Sequence, residues 1–476
     1  MNPNGSTHER AYVWRELDRV EPQKRTPAER AGDFDEIYSL LDEATVREQA
    51  SRCLQCPEAN CRQGCPLSNR IPEWLGLAAE GKFLEAAEVS QSTSNMPEIC
   101  SRVCPQEKLC EGSCILVGHA EPICIGAIEK FINEYSFAHG GDLVVVAPPN
   151  GFRVAVVGSG PGSLACADEL AKLGYAVTVF EVQSQPGGLL LNGIPGFKLE
   201  KDVVERRINI LRRRGVQFVM NTAVGVQMPF GDLRKNFDAV FLGLGAQKAK
   251  ALDIPGAELR GVEAALPFLI QRNSPMALDL PWIEVEGKRV AVMGGGDTAM
   301  DCLRSALRGG AAEAICLYRR DLANMPGSRK EYYNAIEEGA RFQFLTNPIA
   351  LESDGKGAVA GVRCSRMELG EPDASGRRKP RIIPGSEFTV PADLLLVAYG
   401  FDPVPLPKDE GFAGLAINDW GAIKVDANQM TSLPGVYSGG DSVRGASLVV
   451  HAVRDGRKAA RGIHVQLGGA TRDGKL

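Results

Sequence analysis

Long apolar runs are missing from this sequence of 476 residues. No stretch approaches the roughly 18 consecutive apolar residues of a membrane-spanning helix. The first residues, Met1 to Arg10, also lack the apolar core of a secretory signal. Both absences predict a cytoplasmic protein that has no membrane partner.

An excess of charge of either sign is missing as well. Charged residues make up 24% of the chain and the formal net charge is −5, whereas nucleic-acid-binding chains are generally basic. Apolar residues make up 44%, which excludes a disordered chain. The sequence therefore predicts a globular protein of two or three domains with no nucleic-acid partner.

Cysteine is scarce over most of the chain and dense in one short region. Nine of the thirteen cysteines fall between Cys53 and Cys124, and the 352 residues that follow hold only four. A small extracellular disulfide scaffold is rich in cysteine throughout, whereas a local patch in a cytosolic enzyme more often binds metal. The pattern indicates a metal-binding region near the N-terminus.

The spacing of these cysteines favours iron–sulphur clusters over zinc. Two groups are present: Cys53-x2-Cys56-x4-Cys61-x3-Cys65-Pro66, and then Cys104-Pro105, Cys110 and Cys114 with x5 and x3 gaps. Short spacings that end in Cys-Pro resemble ferredoxin runs, in which the last cysteine serves the other of two clusters. Zinc prefers paired C-x2-C knuckles, and only the first pair has that gap. Two 4Fe-4S clusters are the favoured interpretation, and structural zinc is the alternative.

Hydrophobic patterns predict helices first and two nucleotide-binding folds afterwards. The first 145 residues have helical spacing, as between Trp74 and Val89, and no sheet is expected there. A strand at 153–157, a Gly-rich turn, a helix through Leu173 and a strand at 176–181 then make a βαβ unit. The same order recurs from Arg289 to Tyr318.

The rest of the chain carries no third Gly-rich fingerprint. The segments 394–400 and 435–462 offer further strands and a helix, and we assign them mainly to the first fold. The predicted fold class is therefore α/β, with two Rossmann-like units behind a helical region.

The first Gly-rich turn predicts an FAD site. A strand leads into Gly158, Ser159, Gly160, Pro161, Gly162 and Ser163, and a helix follows. In this context glycines let the backbone approach a pyrophosphate at the helix N-terminus. Glu181 closes the next strand, where a carboxylate accepts hydrogen bonds from ribose hydroxyls and repels a 2′-phosphate. Ser163 stands in place of the third glycine.

The second Gly-rich turn predicts an NADPH site. It consists of Gly294, Gly295, Gly296, Asp297, Thr298 and Ala299. The next strand ends in Arg319 and Arg320 instead of an acid. Because charge-assisted hydrogen bonds contribute roughly 1.5–3 kcal/mol each, two arginines favour NADPH over NADH. A solvated strand end is the alternative interpretation of these arginines.

Nearly the whole chain resembles the family of small (beta) subunits of bacterial NADPH-dependent glutamate synthases. The matching motifs, besides the cysteine pattern, are Pro97-Glu98-Ile99-Cys100, Gly187-Gly188-Leu189, Gly193 to Lys198, Gly294 to Asp301, Tyr318 to Asp321, Met325 to Ser328, and Gly440 to Ser447. A similar module occurs in the N-terminal part of dihydropyrimidine dehydrogenase and in the large subunit of electron-bifurcating NADH-dependent ferredoxin:NADP reductase. Ser163 and the stretch Leu242 to Ala246 depart from the family pattern.

The resemblance implies ligands that spacing alone does not give. One cluster would be held by Cys53, Cys56, Cys61 and Cys114, and the other by Cys65, Cys104, Cys110 and Glu129. A scheme that uses Cys100 or Cys124 in place of Glu129 stays open. For FAD the resemblance adds Gly188, Leu189, Lys198, Gly440, Asp441, Ser447 and Leu448, and for NADPH it adds Gly400.

The resemblance also implies a domain order and an activity. An iron–sulphur domain at 1–146 would precede an FAD domain at 147–250 and 399–476, which is interrupted by an NADPH domain at 251–398. Hydride would pass from NADPH to FAD, and single electrons would pass through the clusters to a glutamate synthase large (alpha) subunit. No side chain is expected to act as a catalytic group. A paralogous NAD(P)H:acceptor oxidoreductase and a non-catalytic scaffold subunit are the alternatives. Disulfide reduction is disfavoured because Cys302 and Cys316 form no C-x-x-C pair.

Overall fold

The computed structural model describes residues 13–141, 146–274, 281–372 and 378–469. Residues 13–141 form helices and no strand, as the sequence predicts. Their α-helices are α1 (Pro27–Ala31), α2 (Glu43–Ser51), α3 (Asn60–Gly64), α4 (Ile71–Ala79), α5 (Phe83–Thr93), α6 (Pro97–Val103) and α7 (Ile125–Ala138). No helix in the described ranges is long and apolar enough to cross a membrane.

The apolar spacing between Trp74 and Val89 belongs to two helices. Helix α4 ends at Ala79 and α5 begins at Phe83, because Gly81 between them has a φ of +78°, outside the helical region. Trp74 and Phe83 still point into one core, which they share with residues of α7 such as Phe131. The turn at Gly81 therefore lets the apolar faces of both helices pack into the same core.

The elements after residue 146 alternate between strand and helix. In chain order they are β1 (Arg153–Val157), α8 (Pro161–Lys172), β2 (Ala176–Phe180), α9 (Leu189–Asn192), α10 (Lys201–Arg213), β3 (Gln217–Val219), α11 (Phe230–Asn236), β4 (Ala239–Leu242), β5 (Lys248–Ala249), β6 (Val262–Ala264), α12 (Ala265–Asn273), β7 (Arg289–Met293), α13 (Asp297–Arg308), β8 (Glu313–Tyr318), α14 (Arg329–Glu337), β9 (Arg341–Phe344), β10 (Thr346–Ser353), β11 (Val359–Pro372), β12 (Arg378–Ile382), β13 (Phe388–Pro391), β14 (Leu394–Val397), β15 (Phe401–Asp402), β16 (Val436–Ser438), α15 (Asp441–Arg444) and α16 (Val449–Gln466).

Two parallel sheets form the two nucleotide-binding folds. The first has the order β16-β4-β1-β2-β3, and the second has the order β6-β14-β7-β8-β9. In each sheet the strand before the Gly-rich turn lies at the centre, and its residues after the first are buried. Strands covered by helices on both faces are almost uniformly apolar, which explains these runs.

Strand β14 lies in the second sheet, not in the first fold to which we assigned residues 394–400. Leu394 to Val397 pair in parallel register with Val290 to Met293 of β7. All four residues of β14 are buried, so the strand requires a central position between two other strands. The later segment, with β16, pairs with β4 and does belong to the first sheet.

An antiparallel sheet, which the sequence analysis does not anticipate, is inserted before β14. In it β11 pairs with β10, β12 and β13. Strand β12 has mostly exposed residues, so its sequence carries little of the apolar alternation that marks a half-buried strand.

The two chain crossings between the parallel sheets lie side by side. Strands β5 and β15 form a short antiparallel ladder, with Phe401 opposite Ala249 and Asp402 opposite Lys248. The Lys250 ammonium donates to the Asp402 carboxylate at 2.6 Å. The domain limits that we propose from the sequence, at residues 250 and 398, fall beside this ladder.

Helices α8 and α16 cross at unusually close range in the first fold. A Cβ atom at Gly456 of α16 would lie 2.0 Å from the carbonyl oxygen of Gly162 in α8. Only a glycine fits there, because the obstacle is backbone and cannot rotate away.

We predict that Gly456→Ala lowers the free energy of unfolding by about 1–3 kcal/mol, because the added methyl group overpacks this crossing. The matched control is Gly231→Ala in α11, where a Cβ would meet nothing within 4 Å. That change should instead stabilise by about 0.4–1 kcal/mol. Thermal unfolding midpoints of the two variants and the parent measure both effects. Equal midpoints for both variants would contradict the prediction.

Candidate functional site

Each Gly-rich turn is pressed against the end of a neighbouring strand. Gly158 has a φ of +87°, and a Cβ there would lie 2.4 Å from the Gly243 carbonyl oxygen. Gly294 has a φ of +143°, and its Cβ would lie 2.4 Å from the Ala398 carbonyl oxygen. The two turns therefore have the same construction, and each precedes a helix N-terminus, a favourable place for a phosphate.

The two departures from the family pattern, Ser163 and the stretch Leu242 to Ala246, are in contact with each other. A side chain at Gly243 would collide with the Ser163 hydroxyl oxygen at 2.0 Å. Gly243 thus accommodates the serine that replaces the third glycine. The buried Ser163 hydroxyl has no hydrogen-bond partner among the described residues.

Glu181 faces the first turn, as expected of an acid at the end of β2. Its carboxylate accepts the Ser159 backbone N–H at 2.8 Å and the Ser159 hydroxyl at 2.6 Å. Its other oxygen accepts the Gln183 N–H at 2.9 Å. The Ser159 hydroxyl oxygen in turn accepts the Gly187 N–H at 2.9 Å. Ser159 therefore connects, through hydrogen bonds, the first turn with the segments at Glu181 and Gly187, and all three are predicted to surround FAD.

The segment from Gly440 to Leu448 lies at the N-terminus of α16. Asp441 accepts the Ser447 N–H at 3.2 Å, and burial raises the pKa of its carboxyl to about 7. Sequence analysis did not single out Asp455, which organises this segment. Asp455 accepts the Gly440 N–H at 3.1 Å and both ends of the Arg444 guanidinium at 2.7 and 2.6 Å.

The second turn is held from two sides. The ring of Tyr318 fills the space that a side chain at Gly295 would need, at 2.5 Å. Asp297 accepts the Ser328 N–H at 2.9 Å, and the Gly327 N–H donates to the Gly295 carbonyl at 2.9 Å. The motif Met325 to Ser328 thus packs directly on the predicted coenzyme turn.

Arg319 and Arg320 follow β8 but have different surroundings. Arg319 is exposed, whereas Arg320 is half-buried and its Nε donates to the Arg378 carbonyl oxygen of β12 at 3.2 Å. The inserted antiparallel sheet therefore restrains one of the two arginines. Both remain candidates for a 2′-phosphate contact.

Lys198 reaches the second fold instead of staying within the first. Its ammonium lies 3.0 Å from the Asp301 carboxylate of α13 and 3.8 Å from that of Glu331 in α14. The preceding residue, Phe197, lies under the guanidinium groups of Arg304 and Arg308 at 4.1 and 4.2 Å. The assignment of Lys198 to FAD stays a prediction, and the contacts described here are between the two folds.

Four of the predicted cluster ligands line one hollow. They are Cys53, Cys56, Cys61 and Cys114. The first three come from the end of α2 through α3, and the fourth comes from the loop before α7. Burial raises the pKa of the Cys53 thiol to about 11 and that of the Cys61 thiol to about 12. Because the thiolate is the form that binds metal, these thiols lose their protons only when a cation binds to the sulphur.

The other predicted ligands line a second hollow. It contains Cys65, Cys104, Cys110 and Glu129 together with Cys100. Cys124 lines neither hollow; its thiol faces Gln49. Five candidates therefore surround a site that needs four ligands. In the described ranges no three His, Cys, Asp or Glu side chains converge as closely as a single metal ion requires.

Two residues that the sequence analysis missed orient the Glu129 carboxylate. Asn69 donates to it at 2.8 Å and Ser90 at 3.1 Å, and the Trp74 indole N–H holds Asn69 at 3.1 Å. Burial raises the pKa of Glu129 to about 7. A buried, ionised carboxylate without a cationic partner costs free energy, and a metal centre beside Glu129 would supply that partner.

The two hollows and the flavin-side helix are neighbours. Ile125 at the start of α7 lines both hollows. Val450, in the first turn of α16, lines the second hollow only. The second hollow therefore lies between the predicted FAD segment at Leu448 and the first hollow.

Cys302 and Cys316, in the second fold, do not form a redox pair. Both are free and buried, and the Cys316 thiol donates to the Gly294 carbonyl oxygen at 3.0 Å. Burial raises the pKa of Cys316 to about 12. A thiol of this kind packs against the turn and is not suited to attack a disulfide.

Two family models match the chain. Residues 30–141 match dihydropyrimidine dehydrogenase domain II, 4Fe-4S cluster, and residues 152–456 match pyridine nucleotide-disulphide oxidoreductase. The glutamate synthase (NADPH) small chain of Escherichia coli (strain K12) is 45% identical, over 95% of this chain and 98% of that protein. The putative oxidoreductase AegA of the same strain is 44% identical over 94% of this chain but 70% of its own length.

A solved structure shares the fold of the nucleotide-binding part. Mycobacterium tuberculosis FprA in complex with NADPH has a TM-score of 0.57 and 23% sequence identity, and the match covers 68% of this chain and 85% of that chain. The similarity shows that the two chains share a fold.

We predict that the Glu129→Ala variant loses the iron of the second hollow, whereas the Cys124→Ser variant keeps all its iron. The reason is that Glu129 lines the second hollow and Cys124 does not. Cys100→Ser also keeps all iron if Glu129 is the eighth ligand. Iron and acid-labile sulphide, measured after anaerobic purification, report the outcome as about four iron atoms lost or none. Loss in Cys100→Ser with retention in Glu129→Ala would assign the place to the thiol.

Proposed function

This chain belongs to the family of the glutamate synthase (NADPH) small chains, and we propose on that premise that it is the electron-input subunit of a glutamate synthase. In this role it oxidises NADPH at FAD and passes electrons through iron–sulphur clusters to a large (alpha) subunit. That subunit makes L-glutamate from L-glutamine and 2-oxoglutarate. The observation that carries the proposal is that one chain holds two cysteine-lined hollows and two Gly-rich turns, of which one is followed, after the next strand, by Glu181 and the other by Arg319 and Arg320.

FAD, when bound, accepts a hydride and releases electrons one at a time, which links NADPH to one-electron clusters. The chain's own part is to bind and orient. We assign to FAD the residues Gly158 to Ser163, Glu181, Gly188, Leu189, Lys198, Gly440, Asp441, Ser447 and Leu448. We assign Gly294 to Thr298, Arg319, Arg320 and Gly400 to NADPH.

The two arginines and Glu181 supply the selectivity. The Glu181 carboxylate already faces Ser159 at the first turn and disfavours a 2′-phosphate there. Arg319 is exposed after β8, where a phosphate can reach it, and Arg320 is steadied by β12. Each coenzyme is thereby directed to its own fold.

The hollows define the order of electron transfer in the proposal. The second hollow contacts Val450 near the FAD segment, and it shares Ile125 with the first hollow. Electrons would therefore leave FAD for the cluster on Cys65, Cys104, Cys110 and Glu129. They would continue to the cluster on Cys53, Cys56, Cys61 and Cys114.

We place the protein in the cytoplasm, with no nucleic-acid and no membrane partner. None of the thirteen cysteines forms a disulfide in the structure. Cysteines without disulfides at this density fit a reducing compartment.

A paralogous oxidoreductase with another acceptor is the second candidate. The observation that favours it is the 44% identity to AegA, which is almost as high as the identity to the small chain. AegA is longer, and this chain spans 70% of it. Nothing in the structure favours the non-catalytic alternative, since both turns and both hollows keep their binding groups.

Anaerobic purification with and without a co-expressed glutamate synthase large subunit tests the proposal. We expect a protein that contains FAD and iron, reduces an artificial dye with NADPH, and co-purifies with the large subunit to form glutamate. Dye reduction without a complex or glutamate would favour the paralogous oxidoreductase. A colourless protein without dye reduction would refute both candidates.

We predict that Arg319→Ala/Arg320→Ala reduces kcat/KM for NADPH by roughly a hundredfold to ten-thousandfold, since two charge-assisted bonds of roughly 1.5–3 kcal/mol each are lost. The value for NADH should change little, because NADH has no 2′-phosphate. The control is Arg341→Ala, an arginine of the same fold that pairs on the surface with Glu313. An unchanged ratio of the two coenzymes would refute the assignment.

A further inference from the structure

One short turn of the helical region touches both the second hollow and the second fold. It is the 3-10 turn Gln106–Lys108, which lies between Cys104 and Cys110. Gln106 and Leu109 line the second hollow. Glu107 and Lys108, between them, make their contacts with residues more than 200 positions further along the chain. The turn therefore has a cluster side and a coenzyme side.

Lys108 forms hydrogen bonds with the loop that precedes α14. Its ammonium donates to the carbonyl oxygens of Pro326 at 2.6 Å and Gly327 at 2.8 Å. Two carbonyls of one loop on one cation fix the position of the loop more firmly than a single hydrogen bond can. Hydrogen bonds to a charged group are also stronger than neutral ones.

Glu107 caps the helix that the loop leads into. The first helical residue of α14 is Arg329, and its backbone N–H donates to the Glu107 carboxylate at 3.0 Å. Ser328, at the N-cap position, makes no side-chain cap hydrogen bond. A group from the helical region thus satisfies one of the orphan N–H donors at the start of α14, and its negative charge suits the helix N-terminus.

The loop that Lys108 contacts, with Pro326 and Gly327, is the one that packs on the predicted coenzyme turn. Gly327 donates its N–H to the Gly295 carbonyl oxygen at 2.9 Å, and Ser328 donates its N–H to Asp297 at 2.9 Å. A continuous series of contacts therefore runs from Cys104 and Cys110 through Lys108 to the second Gly-rich turn.

The far end of α14 is held by the helical region as well. Arg30 donates to Glu337 at 2.8 Å, and Tyr38 donates its hydroxyl to Asn334 at 2.9 Å. Lys24 also pairs with Glu337, at 2.6 Å. With both ends of α14 restrained, a change at Glu107 and Lys108 acts on the loop and the coenzyme turn and does not release the whole helix.

We propose that Glu107 and Lys108 are positioning residues that hold the coenzyme-binding turn from the second cluster loop, so that the two sites stabilise each other. The inference rests on the proposed function. Filling the second hollow orders the turn Gln106–Lys108 and strengthens NADP⁺ binding. By linkage, bound NADP⁺ must protect the iron of that hollow to the same extent.

Binding of NADP⁺ to the full-length protein with FAD and clusters loaded is the first test, measured by calorimetry. Lys108→Met and Glu107→Ala should each weaken binding by roughly fivefold or more, while the FAD and iron contents stay unchanged. Lys108→Arg and Glu107→Gln should restore most of the affinity, since Arg still donates to carbonyls and Gln still accepts an N–H. Lys82→Met, at an exposed lysine paired with Glu80, is the control.

Release of iron to a chelator is the second test. NADP⁺ should slow the loss of iron from the second hollow in the parent protein, and this protection should disappear in Lys108→Met. A role in general folding alone would predict faster release with and without NADP⁺, and that result would overturn the proposal. Parent-level affinity in both variants would overturn it too. A parent protein that binds no NADP⁺ would instead refute the proposed function.

Discussion

Buried ion pairs that join the helical region to both nucleotide-binding folds are the constraint on which the rest of the structure depends. Glu98 of α6 accepts two hydrogen bonds from Arg207 of α10, both at 2.7 Å, and both side chains are buried. Arg457 of α16 donates to Asn95 of the helical region at 2.8 Å and pairs with Glu169 within the first fold at 2.9 Å. Arg30 of α1 pairs with Glu338, at the end of α14 in the second fold, at 3.3 Å, and both side chains are buried. Such pairs add little net stability, but breaking one costs about 3–5 kcal/mol, so they enforce a single relative position.

A single relative position matters because of the chemistry that we propose. Hydride transfer needs the two nucleotide sites face to face, and one-electron transfer needs the second hollow next to the flavin segment. Helix α16 begins directly after Leu448, has Val450 beside the second hollow and has Arg457 in contact with Asn95 of the helical region. The same helix would therefore serve both the proposed flavin site and the proposed cluster site.

Much of the candidate site was predictable, because its motifs are local. The turns at Gly158 and Gly294 require glycine within a few residues of a strand and a helix, and Glu181 follows its strand directly, so spacing along the chain reports these features. The cysteine groups are local in the same sense. Long-range partners leave no such spacing. Asp455, Asn69 and Ser90 act on residues from 11 to 60 positions away and could not be recognised in advance.

The amino-acid sequence by itself determined the secondary structure around each turn, the charge that follows the next strand and the number of cysteines available for clusters, because these depend on neighbouring residues. The break between α4 and α5, the place of β14 in the second sheet and the inserted antiparallel sheet were decided by packing. So were the contact of Lys198 with Asp301 and the meeting of Cys100 and Glu129 in one hollow. These arrangements depend on which distant surfaces bury each other, and only the folded chain brings those surfaces together.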